Sequence, residues 1–210
     1  MNLIKTGVFN GYRVIFKHGP LLQRILMANE LMMVKSLSDH NRLLVMRFEL
    51  KFPKGYSGPT EIISKFFDSL RFKIKYDLRR KSKNRNRKVN CNINYVWVKE
   101  LSGNEGWHYH VALVLNYNVY KGFGKIGSTR NNTINRISEA WASAIKCKVN
   151  DVKGLVHIPK KNPVYELNKN SSSFYDTFYA VMFRLSYLAK LKTKPYGGNA
   201  RVRFYGTSKS

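Results

Sequence analysis

Acidic residues are scarce in this chain: 12 Asp and Glu stand against 38 Lys and Arg over 210 residues, a formal net charge of +26. A field of that size draws in polyanions and works against compactness, so a polyanionic partner is expected. The basic residues are spread through the sequence rather than gathered in one tail, which favours nucleic acid. An anionic membrane surface is the rival partner, but no strongly amphipathic basic helix stands alone to serve it. Cysteine is nearly absent. Cys91 and Cys147 form no CxxC and stand too far apart for a metal knuckle; they suit a reduced interior and are assigned no chemistry. No stretch approaches the roughly 20 apolar residues that span a bilayer. The opening MNLIKTGVFNGYRVIF lacks the apolar core and small-residue cleavage site of a signal peptide, so a cytoplasmic location without a membrane partner is expected. A GxxxxGK[ST] loop is also missing, so any duplex unwinding falls to a partner.

What is present suffices for a core: 43% of residues are hydrophobic and 13% aromatic. Residues 1–20, aromatic and basic and broken by Gly11 and Gly19-Pro20, read as an arm, and a helix is expected from about Leu21 to Leu37. Residues 1–40 thus form an N-terminal arm and helix, and 41–210 the main domain. LLVMRFELKF (43–52) is a strand stopped by Pro53. Thr60 can cap a helix in which Ile63, Phe66, Phe67 and Leu70 recur at helical spacing. NINYVWVKE and WHYHVALVLN are strands joined by LSGNEG, a hairpin signature. A Gly-rich connector leads to the helix INRISEAWASAIK, then a strand GLVHIP. A last helix covers about 174–194 and ends at Pro195; ARVRFYGT beyond it reads as an edge strand. No internal repeat or linker is visible. The interleaving of helices with an antiparallel hairpin predicts an α+β fold with a central antiparallel sheet and flanking helices.

The chemistry concentrates on that hairpin. His108 and His110 are two apart on a strand and project from one face. With LSGNEG as the turn, Glu100 sits opposite His108 or His110, with Cβ atoms ~5 Å apart. Two imidazoles and a carboxylate that leave positions open for water and phosphate oxygens suit Mn²⁺ or Mg²⁺, and would also accept Zn²⁺, Ni²⁺ or Co²⁺. Glu105, in the turn itself, is a weaker ligand candidate, and His157 is an alternative one. On the last helix Phe178, Val181, Met182, Leu185, Leu188 and Ala189 form the apolar stripe. Tyr187 falls nearly opposite it, flanked by Arg184 and Lys190, with Lys194 a turn further on. Cations there would favour a phenolate and hold a phosphate, so Tyr187 is either a nucleophile or a surface aromatic. Tyr175 and Tyr179 rotate toward the stripe and read as packing residues, with Tyr179 kept open as a nucleophile. The tract Arg79, Arg80, Lys81, Lys83, Arg85, Arg87 and Lys88 is a solvated charge run or a phosphate clamp. Trp97 and Trp107 could stack on bases; Trp141 suits core packing better.

His108-Tyr109-His110 resembles the HUH motif, and Tyr187-Leu-Ala-Lys190 resembles the YxxK motif of single-tyrosine replication initiators. Glu100 stands eight residues before the first histidine, where viral members of that class carry a third ligand. WHYHVALVLN, the AWASAI helix, GLVHIP and NPVYEL, and FRLSYLAKLKTKPYG together resemble the inovirus-type replication protein family of filamentous phages, satellites and integrated elements, over roughly residues 40–208. The resemblance implies an HUH Rep/relaxase-like fold, with the ligands on a central antiparallel sheet and the tyrosine helix beside it. It implies an endonuclease of a bacterial host cell that nicks single-stranded origin DNA, with host helicase and polymerase as partners. Tyr187 and Lys190 would be its catalytic residues, His108, His110 and Glu100 its metal ligands, and the basic tract with Arg184 and Lys194 its DNA contacts. Two other readings share these residues: a transposase or relaxase, although a relaxase's three-histidine cluster is absent, and a non-catalytic origin-binding or regulatory protein.

Overall fold

The computed structural model describes residues 2–59, 61–103, 106–128, 131–194 and 203–208. In chain order the strands are β1 (Leu3–Ile4), β2 (Val8–Phe9), β3 (Tyr12–Arg13) and β4 (Leu21–Leu22), followed by helix α1 (Gln23–Asp39), β5 (Arg42–Lys51) and α2 (Ile63–Asn84). The hairpin β6 (Asn94–Ser102) and β7 (Gly106–Asn116) comes next, then α3 (Thr133–Ile145), β8 (Val156–His157), β9 (Val164–Asn168), α4 (Phe174–Ser186) and β10 (Tyr205–Thr207). The fold is α+β, with an antiparallel sheet ordered β10-β6-β7-β5-β8, and β9 pairs β5 along the same edge as β8. Thr60, Glu105 and Pro195, to which a cap, a ligand and a helix end were assigned, lie outside the described residues.

The sheet is covered on both faces, and strand alternation decides which residues meet which helices. Leu44, Met46, Phe48 and Leu50 of β5, Tyr95 and Trp97 of β6, and Tyr109, Val111, Leu113 and Leu115 of β7 face one core, closed by α2 and α3. Leu43, Val45, Val96, Val98, Ala112 and Val114 face the other, closed by α1 and α4. The second core has an unexpected contributor. Residues 1–20 are not a free arm: Phe9, Tyr12 and Val14 are buried in it, because two short hairpin-like pairings, β1 with β4 and β2 with β3, turn those side chains onto α1 and α4. GLVHIP yields only the two-residue β8, and the longer strand on that edge is β9. Pro159 and Pro163, which lack an N–H, separate the two.

Helix α2 continues to Asn84 and takes in the first part of the basic tract. It is fastened to α3 by a charged node: Asp77, 1% exposed, lies 2.7 Å from Arg136 and 3.0 Å from Arg80, accepts from the Tyr120 hydroxyl at 3.0 Å, and pairs with Lys81. Burial would raise the Asp77 pKa, but the Lys81 hydrogen bond and the Arg136 charge outweigh it and hold the carboxyl below its ordinary value. Trp141 is fully buried, and its indole N–H donates to the Lys51 carbonyl at 2.8 Å.

Candidate active site

Toward the hairpin end of the sheet, the face covered by α1 and α4 changes character. The alternation that places Leu43 and Val45 continues into Arg47 and Glu49; Val96 and Val98 continue into Glu100; Val114 and Ala112 continue into His110 and His108. Polar side chains thus occupy buried positions: Arg47 is 4% exposed, Glu100 0%, His108 4% and His110 3%. Buried charge is expensive unless paired, so these groups must satisfy one another.

The register sets Glu100 opposite His108, and His110 between Val98 and Glu49. Glu100, His108 and His110 offer ligand atoms that all lie within 4.8 Å of one another. His108 Nε2 is 3.3 Å from His110 Nε2, which is 3.3 Å from a Glu100 oxygen. Ligands ~2.1 Å from a common ion have about this spacing, so the donor set fits a divalent metal. The far side of each ring supports the same reading. His108 Nδ1 is 3.1 Å from the Gly106 carbonyl, and His110 Nδ1 is 3.1 Å from Glu49. Where Nδ1–H donates outward, each ring turns its Nε2 lone pair inward, the arrangement that orients metal-ligating histidines; the Arg47 guanidinium also lies 3.3 Å from His110 Nδ1. Burial, and then the neighbouring His110, push the His108 imidazole below its ordinary pKa, which keeps it neutral and able to ligate.

Glu49 also accepts from His157 Nδ1 at 2.9 Å. His157 therefore sits behind the cluster on the shared carboxylate, outside the ligand set. Burial alone would raise the Glu49 pKa, but its hydrogen bonds to His110 and His157 bring it down to about 2.

Tyr187 reaches this cluster because α4 stops early. The helix expected to run to residue 194 ends at Ser186, and Tyr187–Ala189 form a 3-10 turn. The N-terminal segment causes the break. Buried Asn29 of α1 donates to the Leu185 carbonyl at 3.1 Å, and Ser186 Oγ accepts from the Ile15 N–H at 2.8 Å. Beyond the turn, Leu191 N–H donates to the Pro20 carbonyl at 3.1 Å and Leu21 bridges Lys190. The turn sets Tyr187, half-buried, edge-on to His110 and His18, with ring centroids 5.6 and 5.5 Å away. The Arg47 guanidinium lies 4.3 Å from the Tyr187 ring centroid.

Lys190 joins the two halves of the site. Its Nζ donates to the Tyr187 hydroxyl at 2.7 Å and lies 2.9 Å from Glu100. Although burial opposes it, the charge of Glu100 and the bond to Tyr187 hold the Lys190 ammonium above its ordinary pKa. Glu100 further takes Lys194 at 2.5 Å and the Thr193 hydroxyl at 2.5 Å. Burial would raise the Glu100 pKa, but the His110 hydrogen bond and the charges of Lys194 and Lys190 force it well below the carboxylate range. Lys194, expected on a DNA-facing surface, is buried against Glu100, and burial lowers its ammonium to about 8.

The structure does not bring the basic tract to this site. Arg79, Lys83, Arg85, Arg87 and Lys88 are exposed, while Arg80 and Lys81 serve Asp77. The tract precedes Asn94, six residues along β6 from Glu100, hence ~20 Å from it. Tyr175 and Tyr179, expected to pack, are 67% and 47% exposed, because Phe174 and Phe178 occupy the core side of α4. The residues missed by sequence reasoning are Arg47, Glu49, Asn29 and Ser186. A signal existed for the first two, since Arg47 and Glu49 are charged residues alternating with Met46, Phe48 and Leu50 inside an otherwise apolar strand.

Comparisons with known proteins agree on a family. YagK of Escherichia coli K12 is 33% identical over 170 residues, 76% of this chain and 81% of YagK. YfjJ of the same organism is 29% identical over 178 residues, 79% of this chain and 85% of YfjJ. Among solved structures, the N-terminal nuclease domain of non-structural protein-1 of minute virus of mice is matched over 88% of this chain and 77% of that one, with 12% identity and a TM-score of 0.25. The model of the YagK/YfjJ C-terminal domain matches residues 4–208, and the chain belongs to that family.

Proposed function

We propose that the chain is a metal-dependent endonuclease that nicks single-stranded origin DNA through Tyr187, initiating replication of the rolling-circle type. The observation that carries this reading is Lys190, whose ammonium bonds both the Tyr187 hydroxyl and the Glu100 carboxylate of the candidate metal cluster. A nucleophile and a phosphate-polarising centre are thereby joined in one site.

Glu100, His108 and His110 would hold Mn²⁺ or Mg²⁺, which when bound supplies positive charge to the scissile phosphate. The chain's own residues do the rest. Lys190 and Arg47 stabilise the phenolate of Tyr187 as its proton is released. Tyr187 Oη, its proton given to water, forms the new bond to phosphorus as the bond to the 3′-oxygen breaks, and that oxygen takes a proton back from water to leave as a free 3′-hydroxyl. A 5′-phosphotyrosyl link conserves the bond energy, so the same site can rejoin strands. Arg47 and Arg184 each keep a buried Nε without a hydrogen-bond partner among the described residues. Such unsatisfied donors favour an incoming phosphate. With no nucleotide-binding loop in the sequence, a host helicase would open the duplex and a host polymerase extend the 3′-end.

A second reading draws on Glu100 itself. Lys190, Lys194 and Thr193 already satisfy it, as suits a binding protein that keeps the cluster only as a buried ion network. A nicking assay on labelled strands from the element's own origin, with and without Mn²⁺, separates the two. Mn²⁺-dependent cleavage lost in the His108→Ala/His110→Ala variant supports the enzyme; tight binding without cleavage of any strand supports the binder.

A further inference from the structure

Tyr175, Tyr179 and Phe183 recur at intervals of four along one surface of α4, which ends at Ser186, immediately before Tyr187. Exposed apolar side chains that stand together mark interaction sites more than scattered ones do, and these three are 67%, 47% and 40% exposed. They are also braced. Phe174 packs edge-on to Tyr175 with ring centroids 5.2 Å apart, Phe178 edge-on to Tyr179 at 6.0 Å, and both phenylalanines lie against the core beneath. A braced ring loses little freedom when something stacks on it.

We infer that this row is a stacking platform for the bases of single-stranded DNA, leading the strand along α4 to Tyr187. The inference rests on the nicking reading and adds the path of the substrate to it. Charge points to this occupant: the chain carries +26, and exposed Arg13 lines, with Tyr179 and Phe183, a groove of about 380 Å³ between β3 and α4. Arg184, whose Nε has no hydrogen-bond partner among the described residues, follows Phe183 directly. Aromatic faces alternating with cations are how proteins hold single strands without reading sequence. The spacing also fits. Tyr175 and Tyr179 have centroids 6.4 Å apart, close to twice the ~3.4 Å rise of a nucleotide in a stacked strand, so successive rings can meet every second base.

The test compares, in the full-length chain, binding of labelled oligothymidylate with binding of an abasic strand of equal length. The abasic strand keeps every phosphate and removes every stacking face. Each ring removed in Y175A, Y179A and F183A should weaken oligothymidylate binding by about 5- to 150-fold. Abasic-strand binding and the salt slope should not change, and Y175F/Y179F should bind as wild type. Unchanged oligothymidylate affinity in the triple alanine variant would overturn the platform, and so would an equal loss on the abasic strand. A wild-type dimer that the triple variant dissolves in sedimentation would overturn it too, since the row would then cover a second copy of the chain. The two readings fail separately. Ring-dependent binding without nicking of any origin strand sinks the nuclease alone; normal nicking with ring-independent binding sinks the platform alone.

Discussion

Glu49 touches neither the proposed nucleophile nor the ligand atoms, yet the account makes metal affinity depend on it. Its carboxylate lies 3.1 Å from His110 Nδ1 and 2.9 Å from His157 Nδ1, with the Arg47 guanidinium 4.0 Å away. Glu49→Gln keeps the shape and one acceptor oxygen but removes the charge that fixes the His110 tautomer and makes its Nε2 a better donor. Loss of such an outer partner costs about 10- to 100-fold in metal affinity, which is ~1.4 to 2.7 kcal/mol. Because the hydrogen bonds and charges of His110 and His157 outweigh burial and hold Glu49 at about 2, the wild-type carboxylate is charged throughout the neutral range, and the gap between the proteins should persist from pH 6 to 8. Calorimetric Mn²⁺ titration gives the number directly, and His157→Ala serves as a control that should weaken binding less. If Glu49→Gln binds Mn²⁺ as wild type does while His108→Ala does not, the inward-facing tautomer of His110 is not maintained by Glu49 and the reasoning fails.

Other outcomes follow from the same geometry. His108→Ala or His110→Ala should abolish cleavage and Mn²⁺ binding, and calorimetric binding that survives in the double variant would remove the site. Glu100→Gln strands buried Lys194, so it should cost about 3 kcal/mol of stability, a fall in Tm on the order of 6–12 °C, besides weakening the metal; thermal unfolding measures it. Asp77→Asn breaks the α2–α3 node at a similar cost of ~3–5 kcal/mol. Its folded pKa is depressed, so its contribution is present above the unfolded value of ~3.9 and lost as pH falls through the folded one; wild type and variant should converge in acid unfolding. Neutralising Arg85, Arg87 and Lys88 should flatten the salt dependence of single-strand binding by ~0.7 per lost contact, while leaving the nicking rate at saturating DNA unchanged.

Much of this was legible in the sequence because strand and hairpin rules are local. His108 and His110 share a face by alternation, and the turn between β6 and β7 brings Glu100 opposite His108. What could not be read locally is how Tyr187 enters the site. On an ideal helix it points away from the apolar stripe. It turns inward only because Asn29, Ile15 and Pro20, more than 150 residues upstream, unwind the end of α4. Likewise, the exposure of Tyr175 and Tyr179 depends on Phe174 and Phe178 taking the core positions, a competition between aromatics that periodicity does not settle. The charge of Glu49 inside an apolar strand is visible in the sequence, but its partner is not: strand order puts β5 beside β7, and nothing near residue 49 announces that neighbour.

The central claim is that the Tyr187 oxygen makes a bond to DNA. Wild-type protein incubated with Mn²⁺ and a labelled single-stranded origin oligonucleotide should give a slow-migrating band on a denaturing gel, with the DNA joined through its 5′ phosphate. Tyr187→Phe keeps the ring that His18, His110 and Arg47 surround, so DNA affinity and folding should hold while the band disappears. Lys190→Ala should leave a slow residual reaction, since it stabilises charge and does not form the bond. A band that persists in the Phe variant, or one that wild type never forms on any origin strand, would contradict the account.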